Sequence, residues 1–176
     1  MFEESVVQAI REKAFELGFV RCGIAPVDEL PHKRVLLEWI AAGKNADMSY
    51  MARDARDRAH PKQLLKSAQS AIVVAARYWH PNDNDGGTLT QSNDDSQSTQ
   101  SNESATRAKI ARYARGKDYH LVLRERLHIL QDWMKHHVCA EFDHHVCVDS
   151  SPLLERELAK AAGIGFFGKN TLLISP

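Results

Sequence analysis

Residues 6–26 read VVQAIREKAFELGFVRCGIAP, and their pattern changes from a helical period to an apolar run at Gly18. The apolar residues before the glycine share one helical face, namely Val6, Val7, Ile10, Ala14 and Leu17. Gly18 suits the left-handed conformation that ends many helices. Phe19 to Ala25 is then typical of a β-strand, which Pro26 ends. The stretch therefore predicts a helix followed directly by a strand.

The rest of the chain continues this alternation. Before the middle of the chain we expect a helix marked by Leu36, Trp39 and Ile40 and closed by Gly43, a short helix over Met48–Asp54, and a strand over Ser70–Trp79 that is buried on both faces. After the middle we expect a long helix that is capped by Asp118 and buries Tyr119, Leu123, Leu127, Leu130 and Met134. A strand at His145–Val148 should follow, and then a helix that Ser151 and Pro152 open and Gly163 stops. The last predicted element is a strand at Thr171–Ile174. This order predicts one α/β (α+β) domain over residues 1–176, with a mixed sheet flanked by helices.

Composition limits the classes of function. Lys plus Arg and Asp plus Glu both number 23, so net charge points to neither nucleic acid nor a membrane surface. The three cysteines form no C-x-x-C motif and cannot all pair, which favours a reducing, cytoplasmic location. A membrane span is not expected, because the chain has no apolar run of about 18 residues.

A polar insert interrupts the pattern between Pro81 and Thr106. Residues 82–103 contain one large apolar residue, Leu89, and no basic residue. Such a segment buries too little apolar surface to offset its ordering entropy, so we predict a disordered loop over residues 82–105. The alternative is an acidic interaction tail.

Asp149 is the first candidate for chemistry. It closes the predicted His145–Val148 strand just before a predicted helix, and open α/β sheets place ligands at such strand ends. Apolar neighbours there would desolvate the carboxyl group and raise its pKa, which suits a proton donor. The alternative is that Asp149 only caps the following helix.

Cations and aromatic residues alternate between Arg107 and His120. The cations are Arg107, Lys109, Arg112, Arg115 and Lys117, and the aromatic residues are Tyr113, Tyr119 and His120. This mixture suits phosphate contacts combined with base stacking, as on RNA. A solvated basic helix start explains the pattern equally well.

Two other patterns resemble known sites but lack the context. Gly163-Ile-Gly-Phe-Phe-Gly168 follows a predicted helix and leads into a strand, which is the reverse of a dinucleotide fingerprint. Its glycines instead allow close approach to a ligand or a strand, with Lys169 and Asn170 facing that ligand. The histidines and cysteines of residues 136–147 lack zinc-site spacing, so no bound metal is expected.

The segments together resemble the epoxyqueuosine reductases. The matching blocks, in chain order, are Leu17-Gly-Phe19, Cys22-Gly-Ile24, Met48-Ser-Tyr-Met-Ala-Arg53, Arg58-Ala-His-Pro61, Arg112-Tyr-Ala-Arg-Gly-Lys-Asp-Tyr-His120, Val148-Asp-Ser-Ser-Pro-Leu-Leu-Glu-Arg156 and Lys160-Ala-Ala-Gly-Ile-Gly-Phe-Phe-Gly-Lys-Asn170. They cover nearly the whole chain apart from the polar insert.

The resemblance implies reduction of the epoxide of epoxyqueuosine, in the tRNA anticodon loop, to the cyclopentene of queuosine. It implies cobalamin without its lower axial base, and two four-iron clusters that deliver electrons. An acid must protonate the departing oxygen, and the family's aspartate proton donor falls on Asp149.

The resemblance also implies two sets of binding residues. Those matched to the cobalamin pocket are Arg58, Ala111, Asp149, Arg156, Lys169 and Asn170. Those expected to contact tRNA are Arg112, Tyr113, Lys117, Tyr119 and His120. Arg156 is expected on the same helix as the aspartate, where it would hold a phosphate or orient the acid.

The family's C-x-x-C-x-x-C-x-x-x-C-P motifs do not occur in the sequence. We therefore expect the ferredoxin-like 4Fe-4S domain, and with it the route to the electron donor, to lie outside this chain. Two alternatives stay open, a cobalamin-dependent reductase of another substrate, such as a dehalogenase, and a truncated remnant that binds cobalamin or RNA without turnover. We expect a cytoplasmic monomer whose partner is tRNA carrying epoxyqueuosine.

Overall fold

The computed structural model describes residues 3–27, 30–78 and 111–175. Helix α1 spans Glu4–Glu16 and strand β1 spans Arg21–Pro26, so the predicted helix and strand at the start of the chain are confirmed. Gly18 lies between them with φ +84°, the left-handed conformation expected of a helix stop. The predicted insert at residues 82–105 lies outside the described residues.

Strand β2 spans Ser70–Ala75 and pairs with β1 in antiparallel register, from Arg21 opposite Ala75 to Pro26 opposite Ser70. The sequence predicted a strand buried on both faces, but every β2 residue from Ala71 onward is only half-buried. The reason is that β2 has only β1 as a hydrogen-bonded neighbour in the described part of the chain, so its other edge stays open although apolar residues pack on both faces. Trp79, the predicted end of this strand, lies outside the described residues.

Two apolar clusters cover the two faces of this sheet. On one face Cys22 packs with Ile10 and Ala14 of α1 and with Leu130 and Met134 of α5, the helix Tyr119–His137. On the other face, Ala25 packs with Leu158 of α6, the helix Glu155–Ala161. Because alternate strand residues point to opposite faces, one short sheet joins helices on both sides.

The long helix and the small helices agree with the sequence. The Asp118 side chain accepts a hydrogen bond from the backbone N–H of His120 and so caps α5, as predicted. The remaining helical elements are α2 at Lys33–Ala41, α3 at Ser49–Arg53, α4 at Ala55–Ala59, and 3₁₀ turns at Pro61–Gln63 and Arg112–Ala114. Gly43, with φ +66°, follows α2 as expected.

The segment before α6 differs from the prediction. Residues 145–148 form no strand, and Ser151 and Pro152 do not open the helix, which begins at Glu155 after Leu154. Local backbone hydrogen bonds, Ser150 N–H to the Val148 carbonyl (2.6 Å) and Leu153 N–H to the Ser151 carbonyl (2.8 Å), hold residues 148–153 in successive bends. These bends compete with both a strand and an earlier helix start.

The chain closes with strands β3 (Phe166–Phe167) and β4 (Leu173–Ile174), which pair antiparallel. The predicted last strand is thus confirmed, although it is shorter. Gly165 shows why the glycine motif is needed, since a Cβ there would lie 2.2 Å from the Ile174 carbonyl oxygen. The glycines therefore allow close approach to a neighbouring strand, one of the two roles expected of them.

Helices with small antiparallel sheets confirm the α/β (α+β) class, with two two-stranded sheets in the described ranges where one mixed sheet was expected. Within those ranges, no helix is long and apolar enough to cross a membrane.

Candidate active site

Asp149 lies in the loop between α5 and α6, and its environment differs from the expectation. Its backbone is left-handed, with φ +55°, and its side chain is 70% exposed. The expected desolvation of this carboxyl group by apolar neighbours is therefore wrong. The capping alternative is wrong as well, because α6 begins six residues later with Leu154 at its N-cap position.

Two side chains from the first turn of α5 reach Asp149. The Tyr119 hydroxyl donates a hydrogen bond to Asp149 Oδ2 at 2.7 Å, and His120 Nε2 lies 4.0 Å from the same oxygen. The hydrogen bond to the carboxylate is the main reason that the pKa of Tyr119 is raised to about 12. Tyr119 therefore stays a donor at every physiological pH.

Asp118 fixes the position of His120. Asp118 Oδ1 lies 2.8 Å from His120 Nδ1 and also accepts the His120 backbone N–H at 2.9 Å. These hydrogen bonds hold the pKa of Asp118 below its usual value, with the side-chain bond to His120 as the largest cause. His120 stacks on Tyr119 with ring centroids 4.0 Å apart, and the edge of Tyr113 meets Tyr119 at 6.2 Å. The block from Tyr113 to His120 therefore forms one aromatic surface beside Asp149.

Glu155 is a site residue that the sequence analysis did not single out. Its Oε1 atom accepts the Asp149 backbone N–H at 3.0 Å. Burial raises the pKa of the Glu155 carboxyl, and the charge of Asp149 raises it further, whereas the backbone hydrogen bond from Asp149 and the charge of His120 lower it. The only signal in the sequence is that Glu155 belongs to the Val148–Arg156 block.

Arg156 holds the turn that carries two predicted pocket residues. Its Nη1 atom donates to the Thr171 carbonyl, and the Asn170 side chain accepts the Leu172 N–H at 3.2 Å. Lys169 and Asn170 are exposed on this turn. Arg156 does not follow Asp149 on one helix, as was expected, because Asp149 lies outside α6. Instead, Glu155 and Arg156 make the first turn of α6 an anchor for both the Asp149 loop and the Lys169 turn.

Arg58 and Ala111 lie on other elements. Arg58 belongs to α4, where its guanidinium carbon is 5.9 Å from the centre of the Tyr50 ring. Its Nε atom is buried without a hydrogen-bond partner among the described residues, and such an unpaired donor is one that a ligand could satisfy. Ala111 is exposed directly before the 3₁₀ turn at Arg112–Ala114.

The predicted RNA-contacting residues are largely open to solvent. Tyr113 is 59% exposed, and Lys117 is exposed as well. The side chain of Arg112 and the whole of Arg107 and Lys109 lie outside the described residues. Among the residues that are described, no group of three or more His, Cys, Asp or Glu side chains could hold a metal ion.

Comparison with known proteins shows to which family this chain belongs. The family model described as "Epoxyqueuosine reductase QueG, DUF1730" matches residues 58–150, which is more than half of the chain. The chain belongs to the epoxyqueuosine reductase family. The match includes Arg58, the aromatic block and Asp149, and it ends just before Glu155.

Individual family members resemble nearly the whole chain. The epoxyqueuosine reductase of Vibrio cholerae is 33% identical over 171 residues, which cover 97% of this chain and 42% of the relative. A crystal structure of an epoxyqueuosine reductase with an epoxyqueuosine-modified tRNA-Tyr stem loop has a TM-score of 0.69 and 27% identity, covering 98% of this chain and 42% of that one.

A second epoxyqueuosine reductase structure, from Bacillus subtilis, is described with its aspartate catalytic loop swung out of the active site. It has a TM-score of 0.66 and 25% identity over 98% of this chain and 41% of that chain. In all three comparisons, the chain spans less than half of the length of its relative.

Proposed function

We propose that this chain is the part of an epoxyqueuosine reductase that binds the modified nucleoside next to cobalamin and protonates the departing oxygen. Family membership supports the reaction class. The observation that carries the assignment of the acid is the Asp149 carboxyl group, which is exposed at a loop, accepts a hydrogen bond from Tyr119, and lies in a block shared with the family.

The reaction consumes two electrons and two protons. Both carbon–oxygen bonds of the epoxide break, a carbon–carbon double bond forms, and the oxygen leaves as water. Cobalamin, when bound, would supply the electrons at low potential, and iron–sulfur clusters outside these residues would reduce the cobalamin again. The protein must therefore deliver protons to one oxygen atom, which is the task of a positioned general acid.

Asp149 fits this task through its two carboxyl oxygens. Tyr119 donates to Oδ2, which leaves Oδ1 to take up the proton for the substrate once the bound substrate replaces the water around this exposed carboxylate. After the transfer, the resulting carboxylate keeps the hydrogen bond from Tyr119 and lies 4.0 Å from His120 Nε2, and water at this exposed site supplies the second proton. The B. subtilis structure, in which an aspartate loop is described as catalytic, supports this assignment.

The residues proposed for cobalamin suit its chemistry. The rim of a corrin carries amide groups and a phosphodiester, which need hydrogen-bond donors and acceptors. Lys169 and Asn170 present both from an exposed turn, and the buried Arg58 Nε is an unused donor. Arg156 contributes by holding that turn through Thr171, and Ala111 and Asp149 complete the proposed pocket.

The aromatic surface is the proposed contact for the anticodon loop. Tyr113 and Lys117 are exposed next to Tyr119 and His120, and unpaired RNA bases stack on such rings while cations bind phosphates. Arg112 belongs to the same proposed surface. The stem-loop complex of the related structure supports tRNA as the partner.

The test compares the chain with its Asp149→Asn variant. Each is mixed with cob(II)alamin, a reduced viologen as the electron source, and an epoxyqueuosine stem loop, and queuosine is measured by mass spectrometry. We expect both proteins to give the absorption spectrum of base-off cobalamin. Turnover should fall by about 100-fold or more in the variant, because Asn is nearly isosteric but cannot release a proton.

Asp132→Asn is the matched control, since Asp132 is an equally exposed aspartate on α5 whose partner is Lys135. It should retain the full rate. An Asp149→Asn variant with a near-native rate would remove Asp149 from the mechanism and direct attention to Tyr119 and His120. Binding of cobalamin without turnover by the unaltered chain would instead favour a non-catalytic remnant.

A further inference from the structure

The backbone of Asp149 adopts a conformation that needs support. Its φ of +55° lies in the left-handed region, which residues with a Cβ atom seldom occupy. The residue is largely exposed and belongs to a loop of bends, so packing alone does not fix it. Hydrogen bonds from neighbouring elements must therefore hold the loop in this shape.

Three such bonds reach the loop, and they act on different atoms. Tyr119 donates to the Asp149 carboxyl group at 2.7 Å, and Arg124 Nη2 donates to Ser150 Oγ at 3.4 Å. Glu155 alone among these three accepts from the Asp149 backbone, at 3.0 Å. A bond to the backbone fixes the Cα atom without occupying the carboxyl group, which stays free to reach a substrate.

Glu155 is suited to hold a loop because it is itself fixed. It is the first residue of α6, and the next turn of this helix, Glu157 to Ala159, is buried, with Leu158 packed in one apolar cluster with Ala25 of β1. The Glu155 side chain is half-buried, where a hydrogen bond to an ionised carboxylate is stronger than in water.

We infer that Glu155 is a positioning residue that latches the Asp149 loop in its left-handed conformation and so aims the catalytic carboxyl group. The inference rests on the proposed function of Asp149. Because Glu155 contacts the Asp149 backbone and not the reacting atoms, its loss should displace the acid rather than remove it. A displacement of about 1 Å is enough to lower a rate by about 100-fold.

The test pairs Glu155→Ala with Glu155→Gln. Gln retains an acceptor oxygen at the same place, so it should rescue most of the effect, whereas Ala removes the acceptor. Hydrogen exchange of the backbone amides in residues 147–151, measured on the chain with no ligand, should accelerate by roughly 10-fold in Glu155→Ala and much less in Glu155→Gln. The rate of epoxide reduction should fall in the same order, with the affinity for the stem loop unchanged.

Glu157→Ala is the matched control, because Glu157 is a neighbouring glutamate of α6 that pairs with His32 at 2.6 Å. It should leave exchange in residues 147–151 at the native rate. Equally faster hydrogen exchange in both alanine variants, or unchanged exchange in Glu155→Ala, would refute the proposed role of Glu155. The exchange measurement does not depend on catalysis. An unlatched loop together with a fully active Asp149→Asn variant would therefore refute the proposed acid and leave the latch standing.

Discussion

The hydrogen bond from Tyr119 to Asp149 determines whether Tyr119 is protonated. The Tyr119 hydroxyl group keeps its proton because it donates a hydrogen bond to the Asp149 carboxylate, which raises the pKa of Tyr119 to about 12. A tyrosine whose folded pKa is raised stabilises the fold below its unfolded pKa and loses this contribution as pH rises through the folded value. The Tyr119 hydroxyl group therefore keeps its proton, and can donate this hydrogen bond, until the pH approaches 12.

Removing the negative charge of the acceptor should lower the pKa of Tyr119. We predict that Asp149→Asn moves it from about 12 towards the ordinary value of about 10. The chain has four tyrosines, so absorbance of tyrosinate near 295 nm at about pH 11 should increase by close to one residue in the variant. Tyr119→Phe identifies the signal, because it should abolish the difference. Equal titration curves for the two proteins would show that Tyr119 does not donate to Asp149.

At the residue level, sequence reasoning selected Asp149, the proposed acid, but did not predict its surroundings. Asp149 was selected first for its position between a predicted strand and a predicted helix start, neither of which forms there, and then for its block. Its exposure and left-handed backbone depend instead on the bends at residues 148–153. The contact with Glu155 joins residues six positions apart across those bends, and no periodic pattern encodes it. Tyr119 and His120 were placed on an RNA surface, yet they also approach the acid directly.

Among the elements, the helices were predictable and the connections were not. The α1 and α5 helices have long amphipathic stripes and clear ends, Gly18 for the first and Asp118 for the second. The predicted His145–Val148 strand had only four residues and no alternation, so local turn hydrogen bonds prevailed. Ser151 and Pro152 resembled a helix start, but the helix begins where Glu155 can reach back to the loop.

Close packing of α6 on β1 depends on Gly23. A Cβ atom at this position would lie 2.1 Å from the Ala162 carbonyl oxygen at the end of α6, and backbone cannot rotate away as a side chain can. We predict that Gly23→Ala lowers the free energy of unfolding by about 2–3 kcal/mol, measured by urea denaturation. Gly116→Ala is the control, because open space surrounds Gly116, and it should change stability by less than about 0.5 kcal/mol. A stable Gly23→Ala protein would mean that α6 can move away from the sheet.

Across the whole molecule, the fold brings distant segments to one helix end. The first turn of α6 contacts the Asp149 loop through Glu155 and the Lys169 turn through Arg156, and α5 contributes Tyr119 from the other side. The sheet that supports α6 comes from the first half of the chain. The site is therefore a product of long-range packing, which explains why the sequence indicated its residues through family motifs rather than through local spacing.

The polar insert separates these two halves in the sequence. It connects β2, which ends at Ala75, with the 3₁₀ turn at Arg112–Ala114, and residues 82–103 contribute only Leu89 as a large apolar side chain. Deleting residues 82–103 should change the free energy of unfolding by less than about 1 kcal/mol, because closure entropy changes by only about 0.6 kcal/mol per doubling of loop length. Urea denaturation and cob(II)alamin titration of the deletion variant provide the measurements, and replacement of the same residues by a Gly-Ser segment of equal length is the control. If the replacement loses more than about 2 kcal/mol, the side chains of the insert pack on the domain. If only the deletion is destabilised, the connection needs its full length to join the sheet to the active-site helix.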